Sequence, residues 1–395
     1  MAYTKEEFKQ LVDDIQSQSW YKNPIGFGIA RVDRGQINKD KILQATFPLI
    51  NWNENFGSAA VLLNALKVAG ENLDTSKSEL VCKISDAFLT SCIEAFRPFI
   101  PEAKGDAHKN VQVISTLASL PIDSGLTAED YRVVFIFEDA APESTEAVYL
   151  KLYALSTGKA ALRSLNLNGA FGKLHNCAWV GNQPIELDWL RANEIVLKLS
   201  GKYPNIDFVD KFPRLLQHVI LADNTRILDS GKVRMGAQLA AGTTVMPGAA
   251  YINFNAGTLG SVMVEGRISS SAVVGAGSDV GGGASILGVL SGTDGVPVTI
   301  GENTLLGANS CTGTTIGDGC ILDAGVTILP GTKIALSDKA VEQLQAINPG
   351  KTISNVMKGS DFIGVNGVHF RVNSSNGQTI AMRSTREIKL NADLH

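Results

Sequence analysis

From residue 221 onward, apolar side chains return six positions apart: Leu221, Ile227, Val233, Leu239 and Val245, with Tyr251 in the same phase. After a step of eleven the series resumes at Val262, Ile268, Val274, Val280 and Ile286. A step of fourteen leads to Ile300 and Leu306, and a step of ten to Ile316, Leu322, Ile328 and Ile334. An amphipathic helix would repeat at three and four, and a half-buried strand at two. A period of six filled with Gly, Ala, Ser and Asn is the hexapeptide repeat of a parallel β-helix, in which each coil buries its inner face only against the next. The pattern predicts a left-handed parallel β-helix over 216–336. The three long steps read as loops pushed out from its corners. One of them, S-G-T-D-G-V-P-V at 291–298, reads as a flexible flap. Another, N-F-N-A-G-T-L-G, sets Asn253 and Asn255 ahead of the coil that carries Glu265.

Residues 1–215 lack this period. Helical spacing marks 58–70 and 184–200, and R-V-V-F-I-F-E at 132–138 is β-branched and aromatic like a strand. Thr4 and Glu7 have capping-box spacing at the head of a first helix. This part is predicted to be a mixed α/β domain, and it carries no phosphate loop, metal cluster or nucleophile motif. A C-terminal extension over 337–395 reads as a helix at 337–347 followed by paired strands at 369–374 and 378–384, folding back on the solenoid.

Composition narrows the partners. A net charge of -4 and a pI near 5.8 give no reason to expect nucleic acid or an anionic membrane. No apolar run reaches transmembrane length, and the acidic start has no signal-peptide core. The five cysteines (82, 92, 177, 311 and 320) form no C-x-x-C pair, and an odd number argues against a disulfide framework. A cytoplasmic protein is expected.

Left-handed hexapeptide solenoids commonly serve as acyltransferases or as zinc enzymes. Catalytic zinc wants several protein ligands, often His, yet no histidine lies between 219 and 334. The same gap removes acetyltransferases with a solenoid histidine as base. Carboxylates remain: Glu265, Asp279, Asp294, Glu302, Asp318 and Asp323 between 233 and 334. Asp294 lies in the flap, and Glu302 and Asp318 occupy G-E-N and G-D-G corners that read as solvated. Glu265 stands nearly alone in charge, with Arg267 two residues on. The glutamate is the candidate for proton transfer, and the arginine for holding an anionic substrate.

The motifs N-F-N-A-G-T-L-G, M-V-E-G-R-I-S, S-D-V-G-G-G-A-S-I-L-G and L-L-G-A-N-S resemble the tetrahydrodipicolinate N-succinyltransferase family in its longer form, over about 219–384. The resemblance implies a homotrimer with active sites between protomers. It further implies succinyl transfer from succinyl-CoA, a co-substrate and not a resident cofactor, to the amine of acyclic tetrahydrodipicolinate, 2-amino-6-oxopimelate, in lysine and diaminopimelate synthesis. Glu265 matches the family's catalytic glutamate, as acyl-anhydride former or general base. Arg267, Gly282 and Ser285 match positions near the acyl end of succinyl-CoA. Ala308, Asp323, Ala324 and Gly331 match the pantetheine groove, where the family often has Glu in place of Asp323. Arg371, Val372, Asn373 and Ser374 match a segment commonly R-R-N-S at the nucleotide end, and Val372 removes one arginine. Asn253 and Asn255 are candidates for the acceptor. Some relatives bind magnesium through an Asp and a Glu ahead of N-F-N-A-G; this chain has G-K-V-R-M-G and V-M-P-G-A-A-Y there, so no metal is expected. The alternatives are an acetyl-CoA-dependent enzyme or one acting on another acceptor, such as a sugar nucleotide, and a non-catalytic scaffold. Arg267 favours a donor that bears a free carboxylate.

Overall fold

The computed structural model describes residues 4–120, 128–289, 292–293, 295–386, 388 and 390. The chain divides into two compact units. The first comprises Met1–Ala154 and Leu165–Pro213; the second comprises Leu155–Ser164 and Arg214–His395. Residues 155–164, which the sequence reading left in the N-terminal domain, thus belong with the solenoid.

The first unit is built on an antiparallel sheet in which Gly26–Arg34 is central, flanked by Ile42–Thr46 and Tyr131–Ile136, with Glu79–Lys83 outermost. Its helices include Lys5–Gln16, headed by the Thr4/Glu7 capping box, and Phe56–Val68, buried along Ala59–Leu63. The predicted helix over 184–200 is corrected at its start. Gln183–Glu186 pairs as a strand with Cys177–Val180, and the helix runs from Leu187 to Leu199. Pro184 brings no N–H to a helix and holds its predecessor extended. Glu186 is buried and accepts hydrogen bonds from the backbone of Ile37 (2.7 Å) and Asn38 (3.3 Å), which fixes a loop of the same unit.

The second unit is a three-faced parallel β-solenoid. One face stacks Arg226–Ile227, Thr244–Val245, Met263–Val264, Asp279–Val280, Leu305–Leu306 and Ile321–Leu322. The next stacks Tyr251–Ile252, Arg267–Ile268, Ser285–Ile286, Cys311–Thr312 and Thr327–Ile328. The third stacks Gly257–Thr258, Val273–Val274 and Thr299–Ile300. Inward residues such as Val245, Val264, Ile268, Val280 and Leu322 form one continuous core.

This register corrects the sequence phase in four places. Ile252, not Tyr251, faces inward, and Val264, not Val262, stacks on Val245 and Val280. The step of eleven is no insertion, because Thr258 fills the inward place opposite Val274. The step of ten likewise contains Thr312, stacked between Ile286 and Ile328. Both threonines are buried, and their hydroxyls are satisfied within the prism: Thr258 Oγ1 meets Thr243 Oγ1 at 2.7 Å, and Thr312 Oγ1 donates to the Thr314 carbonyl at 2.7 Å. The long step from Ile286 to Ile300 remains an excursion. Within its proposed flap, Ser291 and Asp294 lie outside the described residues.

The extension closes the end of the prism. Val368–Val372 adds parallel to Ile321–Leu322, setting the buried Phe370 over Leu322, and returns antiparallel as Thr379–Arg383. The helix Asp338–Ile347, capped by Ser337, contributes Ala340 and Leu344 to the same core.

Candidate active site

Glu265 follows the inward Val264 at a corner of only three residues, Glu265-Gly266-Arg267, before Ile268 turns inward again. The coils approach so closely that a Cβ on Gly266 would collide with the Ala284 carbonyl. The backbone is pinned to the next coil on both sides of Gly266: Glu265 N donates to the Val280 carbonyl (2.8 Å), and Arg267 N to that of Ala284 (2.7 Å). The side chains are left loose. Glu265 is half-buried, Arg267 is exposed, and neither makes a side-chain hydrogen bond or ion pair among the described residues.

Going up the coils from Glu265, the same edge is lined by small residues. Gly283 N donates to the Glu265 carbonyl, Asn309 N to that of Gly282, and Gly325 N to that of Ala308. This places Glu265, Gly282, Ala308 and Ala324 on successive rungs. Two glycines on this edge owe their identity to stacking: a Cβ on Gly281 would lie 2.6 Å from the Leu306 carbonyl, and one on Gly307 2.6 Å from that of Leu322. Gly282 differs. Its φ is not in the left-handed region, and the Glu265 Oε2, 3.6 Å away, is all that its Cβ would approach within 4 Å. The chain's own packing does not require glycine there.

Asp323 occupies the same place in its coil as Glu265, one residue after the inward Leu322. Its carboxylate shares a 2.7 Å hydrogen bond with His369 Nε2 and forms an ion pair with Arg371 Nε at 2.8 Å. The extension is thereby tied to the far end of the edge. On the adjoining face, Ser285 and then Cys311 stack above Arg267. Burial raises the Cys311 thiol above its ordinary pKa, and the charge of Arg267 opposes the rise.

Other predicted residues lie elsewhere. Gly331 sits at the following corner, between Ile328 and Ile334, and its Cβ too would meet nothing. Val372, Asn373 and Ser374 lead into the extension's hairpin turn, where Asn373 Oδ1 accepts from Ser375 N and Oγ. Asn255, left-handed with φ 55°, spends its amide on Arg163 N (2.8 Å) and Ser271 Oγ (3.4 Å). Asn253 uses only its oxygen, which accepts from Arg234 Nη1 (3.2 Å) and Phe254 N (2.9 Å). Glu302 and Asp318 are exposed at their corners, where Asp318 Oδ1 accepts from Glu302 N.

Sequence reasoning missed two groups. His369 is one; its signal was the alternation H-F-R, which sends His369 and Arg371 outward around Phe370. Arg163 is the other, giving hydrogen bonds to the Ser271 carbonyl (2.6 Å) and Thr299 Oγ1 (2.9 Å), and no local motif marks it. Among the described residues no group of three or more His, Cys, Asp or Glu is placed to hold a metal ion, and no helix is long and apolar enough to cross a membrane.

Comparison with known proteins adds to this geometry. Residues 6–172 match the N-terminal profile of tetrahydrodipicolinate N-succinyltransferase, 174–214 its middle profile, and 297–330 the hexapeptide repeat of succinyl-transferase. The chain is 65% identical over 392 residues to the 2,3,4,5-tetrahydropyridine-2,6-dicarboxylate N-succinyltransferase of Sulfurovum sp., spanning 99% of this chain and 98% of that one. It is 53% identical to the Campylobacter jejuni protein of the same name, over 100% of both chains. A crystal structure from Campylobacter jejuni, described as a 2,3,4,5-tetrahydropyridine-2-carboxylate N-succinyltransferase, superposes with a TM-score of 0.92 at 53% identity, over 98% of this chain and 100% of that one. The N-terminal unit, which carried no motif, is thus part of the same family pattern.

Proposed function

The chain belongs to the tetrahydrodipicolinate N-succinyltransferase family, and from that premise we propose that it transfers the succinyl group of succinyl-CoA to the amine of acyclic tetrahydrodipicolinate, 2-amino-6-oxopimelate, in diaminopimelate and lysine synthesis. The observation that carries this reading is the Glu265 carboxylate, without a side-chain partner among the described residues, at the head of an edge of small residues. In the proposed mechanism Glu265 acts as general base. It accepts the proton of the amine as nitrogen bonds to the thioester carbonyl and the C–S bond breaks, releasing CoA thiolate. With no donor among the described residues engaging it, the carboxylate is open to an incoming ammonium or amine. Arg267 holds the free carboxylate of the succinyl group, beside Ser285.

The pantetheine arm runs up the edge past Gly282, Ala308 and Ala324 toward Asp323. Arg371 and the segment Val372–Ser374 stand at its nucleotide end, with Gly331 at the neighbouring corner. We propose a left-handed solenoid and a homotrimer in which this edge faces a neighbouring protomer. Five free cysteines fit a reducing, cytoplasmic setting.

The test is release of free CoA thiol with the acceptor analogue 2-aminopimelate. Acceptor-dependent release from succinyl-CoA, and little from acetyl-CoA, is expected. Faster release from acetyl-CoA would overturn the donor assignment.

A further inference from the structure

Glu265 stands between two different surfaces. Toward the C-terminal coils the edge is small and nearly uncharged until Asp323, His369 and Arg371. Toward the N-terminal coils the adjoining face is cationic and aromatic. Tyr251 pairs rung to rung with Arg267, and its backbone N donates to the Gly266 carbonyl at 3.1 Å. Because the register turns Ile252 inward, the Tyr251 ring lies on the outer face. One coil further down, Arg234 N donates to the Ile252 carbonyl at 3.1 Å. The Arg234 guanidinium lies over the Tyr251 ring, 5.9 Å from its centroid, one rung below Arg267. It is braced by the oxygen of Asn253, whose Nδ2 donor has no partner among the described residues. Lys232 lies in the same coil, with its charge shared by Asp229 at 3.7 Å and its ammonium donating to the Gly248 carbonyl.

We infer that Arg234, with Tyr251 and Asn253 Nδ2, forms the subsite for a carboxylate of the acceptor, so that the two substrates reach Glu265 from opposite ends of the edge. The inference rests on the succinyltransferase reading above, whose acceptor carries two carboxylates. Three features favour it. Arg267 is the one cation adjacent to Glu265 in sequence and is occupied by the succinyl carboxylate, so the acceptor needs a different one. Val233 bridges Ile252, and Ile252 pairs with Ile268, so Arg234 lies two rungs below the coil that carries Glu265, roughly 10 Å along the solenoid at about 4.8 Å per rung. Its planar fork is held in advance by Tyr251 and Asn253, which lowers the entropy lost on binding a carboxylate.

The test begins with binding of 2-aminopimelate to the full-length protein in the presence of CoA, measured by calorimetry for wild type, Arg234→Gln and Arg234→Lys. Rates with 2-aminopimelate and with 2-aminohexanoate, which lacks the distal carboxylate, follow. The expected result for Arg234→Gln is an acceptor KM at least tenfold higher, a succinyl-CoA KM within twofold of wild type, and a tenfold loss of preference for the dicarboxylate. Arg234→Lys should recover part of that preference. An unchanged dicarboxylate preference in both variants, or a parallel rise in both KM values, would overturn the subsite. Should Arg234→Gln not fold, Arg234→Lys and Tyr251→Leu read the same ratio. If the wild type binds 2-aminopimelate through Arg234 but transfers nothing from succinyl-CoA, the donor reading fails while the subsite stands.

Discussion

Gly281 and Gly282 are neighbours in sequence, yet the structure asks opposite things of them. A methyl group on Gly281 would sit 2.6 Å from the Leu306 carbonyl and 3.2 Å from Ala308 N, both backbone atoms of the next coil. Relief requires two coils to part, and overpacking of this kind costs about 1–3 kcal/mol. For a unit of this size that lowers the melting temperature by roughly 2–12 °C. A methyl group on Gly282 would come only to 3.6 Å of Glu265 Oε2, an ordinary contact, at a φ that alanine adopts freely. Removing glycine there should leave stability unchanged or raise it by about 0.4–1 kcal/mol, by restricting the unfolded chain. If the donor passes along this edge, the same methyl group intrudes on it. Gly282→Ala should therefore raise the KM for succinyl-CoA by roughly tenfold, near 1.4 kcal/mol, with the protein fully folded. Thermal unfolding and steady-state thiol release on both variants make the comparison. The reasoning is refuted if Gly282→Ala melts as low as Gly281→Ala, or if it keeps wild-type kinetics with succinyl-CoA.

Thr312→Val keeps the inward shape but strands Thr314 N and O, which the hydroxyl serves at 3.2 and 2.7 Å. Denaturant unfolding should show a loss of about 1–3 kcal/mol, and an unchanged midpoint would contradict that. Asp323→Asn weakens the hold on His369 and Arg371. Because the pairs are partly exposed, the stability cost should stay below about 1 kcal/mol, whereas the KM for succinyl-CoA rises severalfold and that for the acceptor does not. Cys311 is half-buried and the other four cysteines are buried, so limited alkylation read by mass spectrometry should modify Cys311 first. Burial raises its pKa, so labelling should keep increasing with pH above the usual thiol range, and succinyl-CoA should slow it.

The period of six exposed the solenoid because most inward side chains are aliphatic. It hid the register where they are not. Thr258 and Thr312 read as polar filler, so two continuous stretches looked like insertions. Their burial depends on partners in the same prism (Thr243, and the backbone at 314) that no period reveals. Tyr251 misled for the converse reason: an aromatic fell in phase while Ile252 beside it took the inward place. At the site, Glu265 was legible from its isolation in charge, and Gly282 and Ala308 from the family resemblance. His369 was not, because its link to Asp323 exists only once the extension adds its strand to the prism. Asn255 read as a candidate for the acceptor, and its left-handed backbone and its bonds to Arg163 and Ser271 are contacts that no period reveals.

The most direct test of the account is acceptor-dependent release of CoA thiol from succinyl-CoA by wild type and Glu265→Gln, with CoA binding measured on both. The Glu265 side chain makes no hydrogen bond among the described residues, so the variant should fold and bind CoA as the wild type does. Loss of the base should lower kcat by about 10²–10⁴-fold. A Glu265→Gln protein that turns over at the wild-type rate would contradict the account and would move the chemistry away from this edge.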